Sequence, residues 1–222
     1  MSERRSLWRE YLEALLVAGL FLGFTNTFVL KTFFIPSGSM EDTLLIGDHL
    51  VVDRFIFGSS PKMPLLPARE PRRGDIVVFR SPQNPELDLV KRLIGLPGDK
   101  IEMRQKQLFV NDRQVDDHSF AVYKNPDLNR SYGRDNFGPI VVPPEEFFFL
   151  GDNRDMSLDS RFWGTAPRKY LKGRPFLIYW SFGGETPNEN WPGYAARAKQ
   201  LARTAMSFVT KTRWTRTFLI PR

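Results

Sequence analysis

Leu87-Asp88-Leu89-Val90-Lys91-Arg92-Leu93-Ile94 is the stretch from which the architecture is read. It is rich in branched apolar residues and is bounded by Pro85 and Gly95, which predicts a β-strand. Strand alternation puts Leu89, Lys91 and Leu93 on one face and Val90, Arg92 and Ile94 on the other. One of the two adjacent cations therefore points to the face that the other avoids. A lysine on a buried face is stripped of water, and desolvation lowers its pKa. Such an amine can be neutral at working pH and accept a proton, at a cost of roughly 2.7 kcal/mol for about two units. A surface lysine whose stem lies along apolar neighbours gives the same pattern, so the pattern alone leaves both readings open.

The same texture extends outward on both sides. His49 to Phe57, Asp75 to Arg80, Ile140 to Val142, Phe147 to Leu150 and Pro175 to Trp180 read as strands. Lys100 to Val110 and Arg113 to Val115 read as a hairpin closed by Asn111-Asp112. Gly58 to Arg73, with four prolines, is a loop, and His118 to Gly138 is a polar surface excursion. Short, numerous strands predict a mainly β chain, as an antiparallel sandwich or a partly open barrel. Gly183 to Pro192 is turn-rich. Residues 194–212 read as a basic amphipathic helix, which either rests on a membrane surface or packs on the domain.

Tyr11 to Leu30 is mostly apolar, and twenty helical residues span roughly 30 Å, about a bilayer core. The residues that follow, Lys31-Thr32-Phe33-Phe34, make no small-x-small cleavage site, and the run is apolar all round rather than striped. We therefore expect one transmembrane anchor over 11–31, after a cytoplasmic tail of residues 1–10. Arg4, Arg5 and Arg9 precede the run and only Lys31 follows closely, so the positive-inside rule sends residues 32–222 across the membrane.

Just beyond lies Ile35-Pro36-Ser37-Gly38-Ser39-Met40. Pro36 fixes φ and Gly38 permits unusual angles, so the stretch suits holding one hydroxyl in a defined pose; a plain Ser/Gly loop after an anchor is the alternative. A serine hydroxyl is a weak nucleophile and needs a base. His49 opens an apolar strand and His118 lies in the polar excursion, where a histidine is usually structural. Lys91 is the stronger candidate.

A third stretch, Gly151-Asp-Asn-Arg-Asp155-Met-Ser-Leu-Asp-Ser-Arg161-Phe-Trp-Gly164, packs donors and acceptors densely enough for a self-satisfied polar network. Asp152, Asp155 and Asp159 suggest a metal loop, but their spacing is not that of a calcium hand.

With these stretches in view, the chain resembles the type I signal peptidases (leader peptidases), membrane-anchored serine proteases. The resemblance rests on Pro36-Ser-Gly-Ser-Met40 with Thr43-Leu-Leu-Ile-Gly-Asp48, and on Arg73-Gly-Asp-Ile-Val-Val-Phe79. It rests also on Val90-Lys-Arg92 with Gly95-Leu-Pro-Gly-Asp-Lys100, and on Gly151 to Asp155 with Ser157, Asp159-Ser-Arg161 and Trp163-Gly164. The order and spacing match the family from residue 36 to 164, and Arg213-Trp-x-Arg216 is also similar. The resemblance implies two antiparallel β-sheet lobes, with residues 100–146 mainly in the second, non-catalytic one. It implies Ser39 as nucleophile and Lys91 as general base, with the Ser39 backbone N–H and the Ser37 hydroxyl as the oxyanion hole. Ser157 would orient the lysine. Asp152, Asp159, Arg92 and Arg161 would be ion-paired scaffold, and Ile35, Met40, Leu44 and Val90 would line shallow substrate pockets. It further implies signal peptides of preproteins as substrate, a lipid bilayer as surroundings, and no metal or other cofactor. Asp42 departs from the family, which usually has proline there, so the turn after Ser39 or the pocket rim is expected to differ.

Composition narrows the rivals. The 222 residues include no cysteine and only two histidines, so thiol catalysis and a histidine-rich metal site are out of reach. The net charge of +7 is spread along the chain, whereas a nucleic-acid binder needs a clustered basic face. Two other readings are a self-cleaving Ser–Lys repressor, which would need a DNA-binding head, and a non-catalytic tethered β domain that binds peptide or anionic lipid.

Overall fold

The structure, a computed structural model, describes residues 7–24, 30–57, 68–125, 133–184, 204 and 206–221. It is mainly β and holds two antiparallel sheets. The larger takes strands β1 (Leu30–Phe34), β2 (Asp48–Asp53), β3 (Ile76–Arg80), β4 (Asp88–Gly95), β9 (Glu146–Leu150), β10 (Ala166–Pro167) and β11 (Leu171–Ser181). Its seven strands run in the order β1-β2-β11-β3-β4-β9-β10. The smaller takes β5 (Lys100–Arg104), β6 (Gln107–Val110), β7 (Arg113–Gln114) and β8 (Phe137–Val141), in the order β7-β6-β5-β8. The described helices include α1 (Leu7–Phe24) and the single turn α2 (Ser160–Trp163).

Alternation divides the core. Along β3, Ile76 and Val78 join Ile35, Met40, Leu44, Leu50, Val52 and Ile178, while Val77 and Phe79 join Phe57, Leu93, Phe147, Phe149 and Ala166. A third cluster, with Ile94, Ile101, Met103, Leu108, Phe137, Phe148 and Leu150, seals the smaller sheet against the larger. The β3–β4 register pairs Val77 with Lys91 and Ile76 with Arg92, so the two cations lie on opposite faces of a strand buried from Lys91 onward.

Three expectations need correction. The segment expected to span a membrane over 11–31 divides: α1 ends at Phe24, and Leu30 and Lys31 already belong to β1, paired with Asp53 and Val52. The ladder with β2 gives those residues strand partners, and residues 25–29 lie outside the described residues. Among the described residues no helix is long and apolar enough to cross a membrane; α1 carries Arg9, Glu10 and Glu13. Second, 100–110 is not one hairpin arm. Gln105 and Lys106 turn the chain with φ of 49° and 68°, held by Asn136 Oδ1 on Gln105 N–H and Asp135 C=O on Lys106 N–H. No glycine or asparagine marks this turn, so tertiary bonds rather than local propensity set it. The Asn111-Asp112 turn forms where expected, with φ of 54° and 63°. Third, the strand expected to start at Pro175 starts at Leu171 and is central. The register shifts between Pro175 and Leu177, so the ladder passes the residue that cannot donate.

Residues 206–211 are helical; most of the helix expected over 194–212 lies outside the described residues.

Candidate active site

Ser39 sits in a 3-10 turn, Gly38–Met40, between β1 and β2. Glu41 N–H closes on Gly38 C=O at 3.1 Å and Leu44 N–H on Met40 C=O at 2.7 Å. Asp42 then takes φ 76°, an angle a proline ring forbids, so an aspartate at this position matches the turn that forms.

Lys91 reaches this turn from β4. Its Nζ lies 2.5 Å from Ser39 Oγ, and the lysine is only 4% exposed. It does not snorkel to solvent. Burial pushes its pKa from 10.5 down to about 8, partly opposed by the negative charges of Asp159 and Asp152 and reinforced by Arg161. Ser37 Oγ stands 3.5 Å from Ser39 Oγ, on an exposed residue.

The block after β9 holds both partners in place. Arg92 forks onto Asp152, Nε to Oδ1 at 2.7 Å and Nη2 to Oδ2 at 2.6 Å, and Thr43 Oγ1 donates to the same carboxylate at 2.6 Å. Arg161 forks onto Asp159 at 2.8 Å for both bonds, and both side chains are fully buried. Burial alone would raise the Asp159 carboxyl, but the bonds and charge of Arg161 and the Gly151 N–H hold it below the usual range, with a smaller contribution from the Ser157 hydroxyl. That hydroxyl is buried and, among the described residues, has no partner in good hydrogen-bond geometry, Lys91 included. Gly151 separates Ser157 from the Ser39 turn. A Cβ there would lie 2.2 Å from Ser157 Oγ and 2.5 Å from Ser39 C=O, so only glycine lets the two segments approach.

Asn153 is the site residue that sequence reasoning passed over. Its backbone N–H donates to Ser39 C=O at 3.1 Å, and its side-chain Nδ2 donates to Gly38 C=O and to Glu41 Oε2, both at 3.2 Å. The polar density of 151–164 marked the region; nothing in the pattern marked this amide. The residues expected to line a substrate pocket share one apolar cluster: Ile35, Met40 and Leu44 are buried and Val90 is half-buried at its margin.

The carboxylates that suggested a metal loop are divided among cations. Asp152 goes to Arg92, Asp155 to Lys106 at 3.3 Å and Asp159 to Arg161. His49 packs among Phe34, Tyr179 and Trp180, where burial lowers its pKa; His118 is exposed. A cavity of about 800 Å³ bounded by Arg54, Phe57, Glu145 and Arg168 contains neither Ser39 nor Lys91. Its size says less about chemistry than a desolvated amine on a hydroxyl does, since reactivity follows electrostatics rather than volume.

Comparison with known proteins bears on this arrangement. The family model described as "Signal peptidase, peptidase S26" matches residues 8–180. A probable signal peptidase I-2 of Synechocystis sp. is 34% identical over 184 residues, covering 81% of this chain and 76% of the relative. Signal peptidase I of Aquifex aeolicus is 31% identical over 217 residues, covering 74% of this chain and 80% of the relative. A crystal structure of a signal peptidase I from Enterococcus faecalis aligns with 48% of this chain and 97% of its own, at 32% identity and a TM-score of 0.42. The chain belongs to the signal peptidase family, peptidase S26, and is an enzyme of the signal peptidase I type.

Proposed function

We propose that the chain is a membrane-attached serine endopeptidase that removes signal peptides from preproteins, with Ser39 as nucleophile and Lys91 as general base. The observation that carries this reading is the buried Lys91 amine 2.5 Å from Ser39 Oγ, with its pKa near 8. In its neutral form Lys91 takes the Ser39 proton as Oγ attacks the scissile carbonyl. The C–N bond then breaks, the proton passes to the leaving amine, and an acyl-enzyme remains. Water completes the cycle: it attacks the acyl carbon as Lys91 takes its proton, the ester C–O bond breaks to release the acid, and Lys91 returns the proton to Ser39 Oγ. The Ser39 backbone N–H and the Ser37 hydroxyl are the donors suited to the developing oxyanion, each worth a few kcal/mol of barrier. Asp152, Arg92, Asp159 and Arg161 fix the backbone around both partners. Ile35, Met40, Leu44 and Val90 offer the small side chains before the cut bond an apolar surface. Ser157 lies close to the Ser39 turn, and its buried hydroxyl is the group assigned here to orient the Lys91 amine.

The pH dependence follows from the lowered pKa. On a value of about 8, roughly a tenth of Lys91 is neutral at pH 7. kcat/KM is expected to rise about tenfold per pH unit below pH 8 and to level off above it. The test of the reading is incubation with a preprotein, with the cut mapped and the reaction repeated with Ser39→Ala. Wild-type cleavage at a single site and none by Ser39→Ala is the expected result; equal cleavage by Ser39→Ala removes the assignment.

Attachment to a bilayer draws its support from α1. Trp8, Tyr11, Leu12, Leu15, Leu16, Val17, Leu20 and Phe21 stand exposed along it, a surface better solvated by lipid than by water. Arg4 and Arg5 precede α1 and Arg9 lies in its first turn, so on this reading the basic amino end stays at the cytoplasmic face of the bilayer.

A further inference from the structure

We infer that Arg216, assisted by Arg213, is a positioning residue for the reaction: the C-terminal tail clamps the loop that follows the nucleophile. The inference rests on the roles proposed for Ser39 and Lys91. The tail is tied to β11, with Ile178 N–H donating to Leu219 C=O at 2.8 Å and Phe218 N–H to Ile178 C=O at 2.7 Å. This brings the 3-10 turn Trp214–Arg216 against residues 43–48. Arg216 Nη2 donates to Thr43 C=O at 2.9 Å and to Asp48 Oδ2 at 2.7 Å. Asp48 is fully buried, and its carboxylate also accepts Ser181 Oγ–H at 2.6 Å and Leu45 N–H at 2.9 Å. Arg213 Nη2 donates to Ile46 C=O at 2.6 Å and to Phe182 C=O at 3.1 Å.

The loop so held connects to the site at two points. Leu44 N–H donates to Met40 C=O, the end of the nucleophile turn. Thr43 Oγ1 donates to Asp152, the partner of Arg92 beside Lys91. A displacement of Thr43 therefore reaches the hydroxyl from one side and the amine from the other. Thr43 and Arg216 also line a cavity of about 700 Å³. A guanidinium suits the task because its planar fork spans two acceptors; an ammonium is a point contact.

The test is steady-state cleavage of a preprotein by wild type, Arg216→Ala and Arg216→Lys. Rates are taken per active site titrated with a serine-acylating reagent, alongside melting temperatures. Misplacement of reacting groups by ~1 Å costs up to roughly 100-fold, so Arg216→Ala is expected to lose about 10- to 100-fold in kcat. KM should stay within about twofold, and Arg216→Lys should recover part of the rate. A merely structural arginine would lower the melting temperature and the number of active sites but leave the rate per site unchanged. That outcome in folded Arg216→Ala, or in Arg216→Lys if the alanine variant does not fold, overturns the clamp alone. A wild-type chain that cleaves nothing overturns the proposed function and the clamp with it.

Discussion

Lys91→Met is expected to abolish most cleavage and, at neutral pH, to make the protein more stable. Losing the general base proposed above should cost about 10²- to 10⁴-fold in rate. The stability effect comes from the same desolvation that lowers the pKa of the amine. The folded pKa of about 8 lies below the ordinary 10.5, so the folded chain sheds this proton first. Between those two values the unfolded chain holds one proton more, and the contribution of Lys91 to stability rises with pH across that window. Below pH 8 both states are protonated and the full cost of burying the charge stands, about 3 kcal/mol for this shift. Methionine fills similar space without the charge but gives up the bond to Ser39 Oγ, worth about 1 kcal/mol. A net gain of about 2 kcal/mol corresponds to a melting temperature about 4–8 °C higher in a chain of this size. Melts of wild type and variant at pH 7 and near pH 10.5 should show that advantage shrinking at the higher pH. An inactive variant that melts lower than wild type at pH 7 would show that Lys91 is not a desolvated cation.

The second large effect is expected at Asp152, and it has the opposite sign. Its carboxylate is fully buried and is the acceptor for both the Arg92 fork and the Thr43 hydroxyl. Asp152→Ala leaves a buried guanidinium without its counter-charge, which typically costs about 3–5 kcal/mol. Asp152→Asn keeps the volume and part of the hydrogen bonding and should cost less. It also removes one of the two negative charges that hold the Lys91 pKa up, so the midpoint of kcat/KM against pH should fall below 8. A lower melting temperature with a pH midpoint moved downward is the expected pair of results. A midpoint moved upward would mean that Asp152 does not act on Lys91 through its charge.

The parts of this molecule that could be read from sequence are those where local pattern and tertiary demand agree. Leu87 to Ile94 reads as a strand because its apolar alternation is real on both faces, and the structure buries it from Lys91 onward. The Asn111-Asp112 turn was legible because those residue types tolerate positive φ. Gln105-Lys106 was not, because its partners Asp135 and Asn136 lie thirty residues away in a different loop. β1 was hidden for a related reason. Leu30 to Phe34 continues the apolar run of the helix, and only pairing with β2 makes it a strand. Two adjacent cations in β4 signalled something unusual, but which was buried stayed open; both are, each on its own face with its own partner. Asn153 went unmarked because its bonds to the Ser39 turn run largely to backbone carbonyls, and a carbonyl acceptor leaves no mark on residue type.

The central claim is that a desolvated Lys91 amine is the base for Ser39, and the direct measurement is the titration of that amine. NMR of 13Cε-labelled lysine, with the Lys91 signal assigned by its loss in Lys91→Met, gives its pKa without reference to turnover. The expected result is a midpoint near 8 that coincides with the midpoint of kcat/KM. A Lys91 signal that titrates at its ordinary 10.5 while kcat/KM still rises through pH 8 would contradict it.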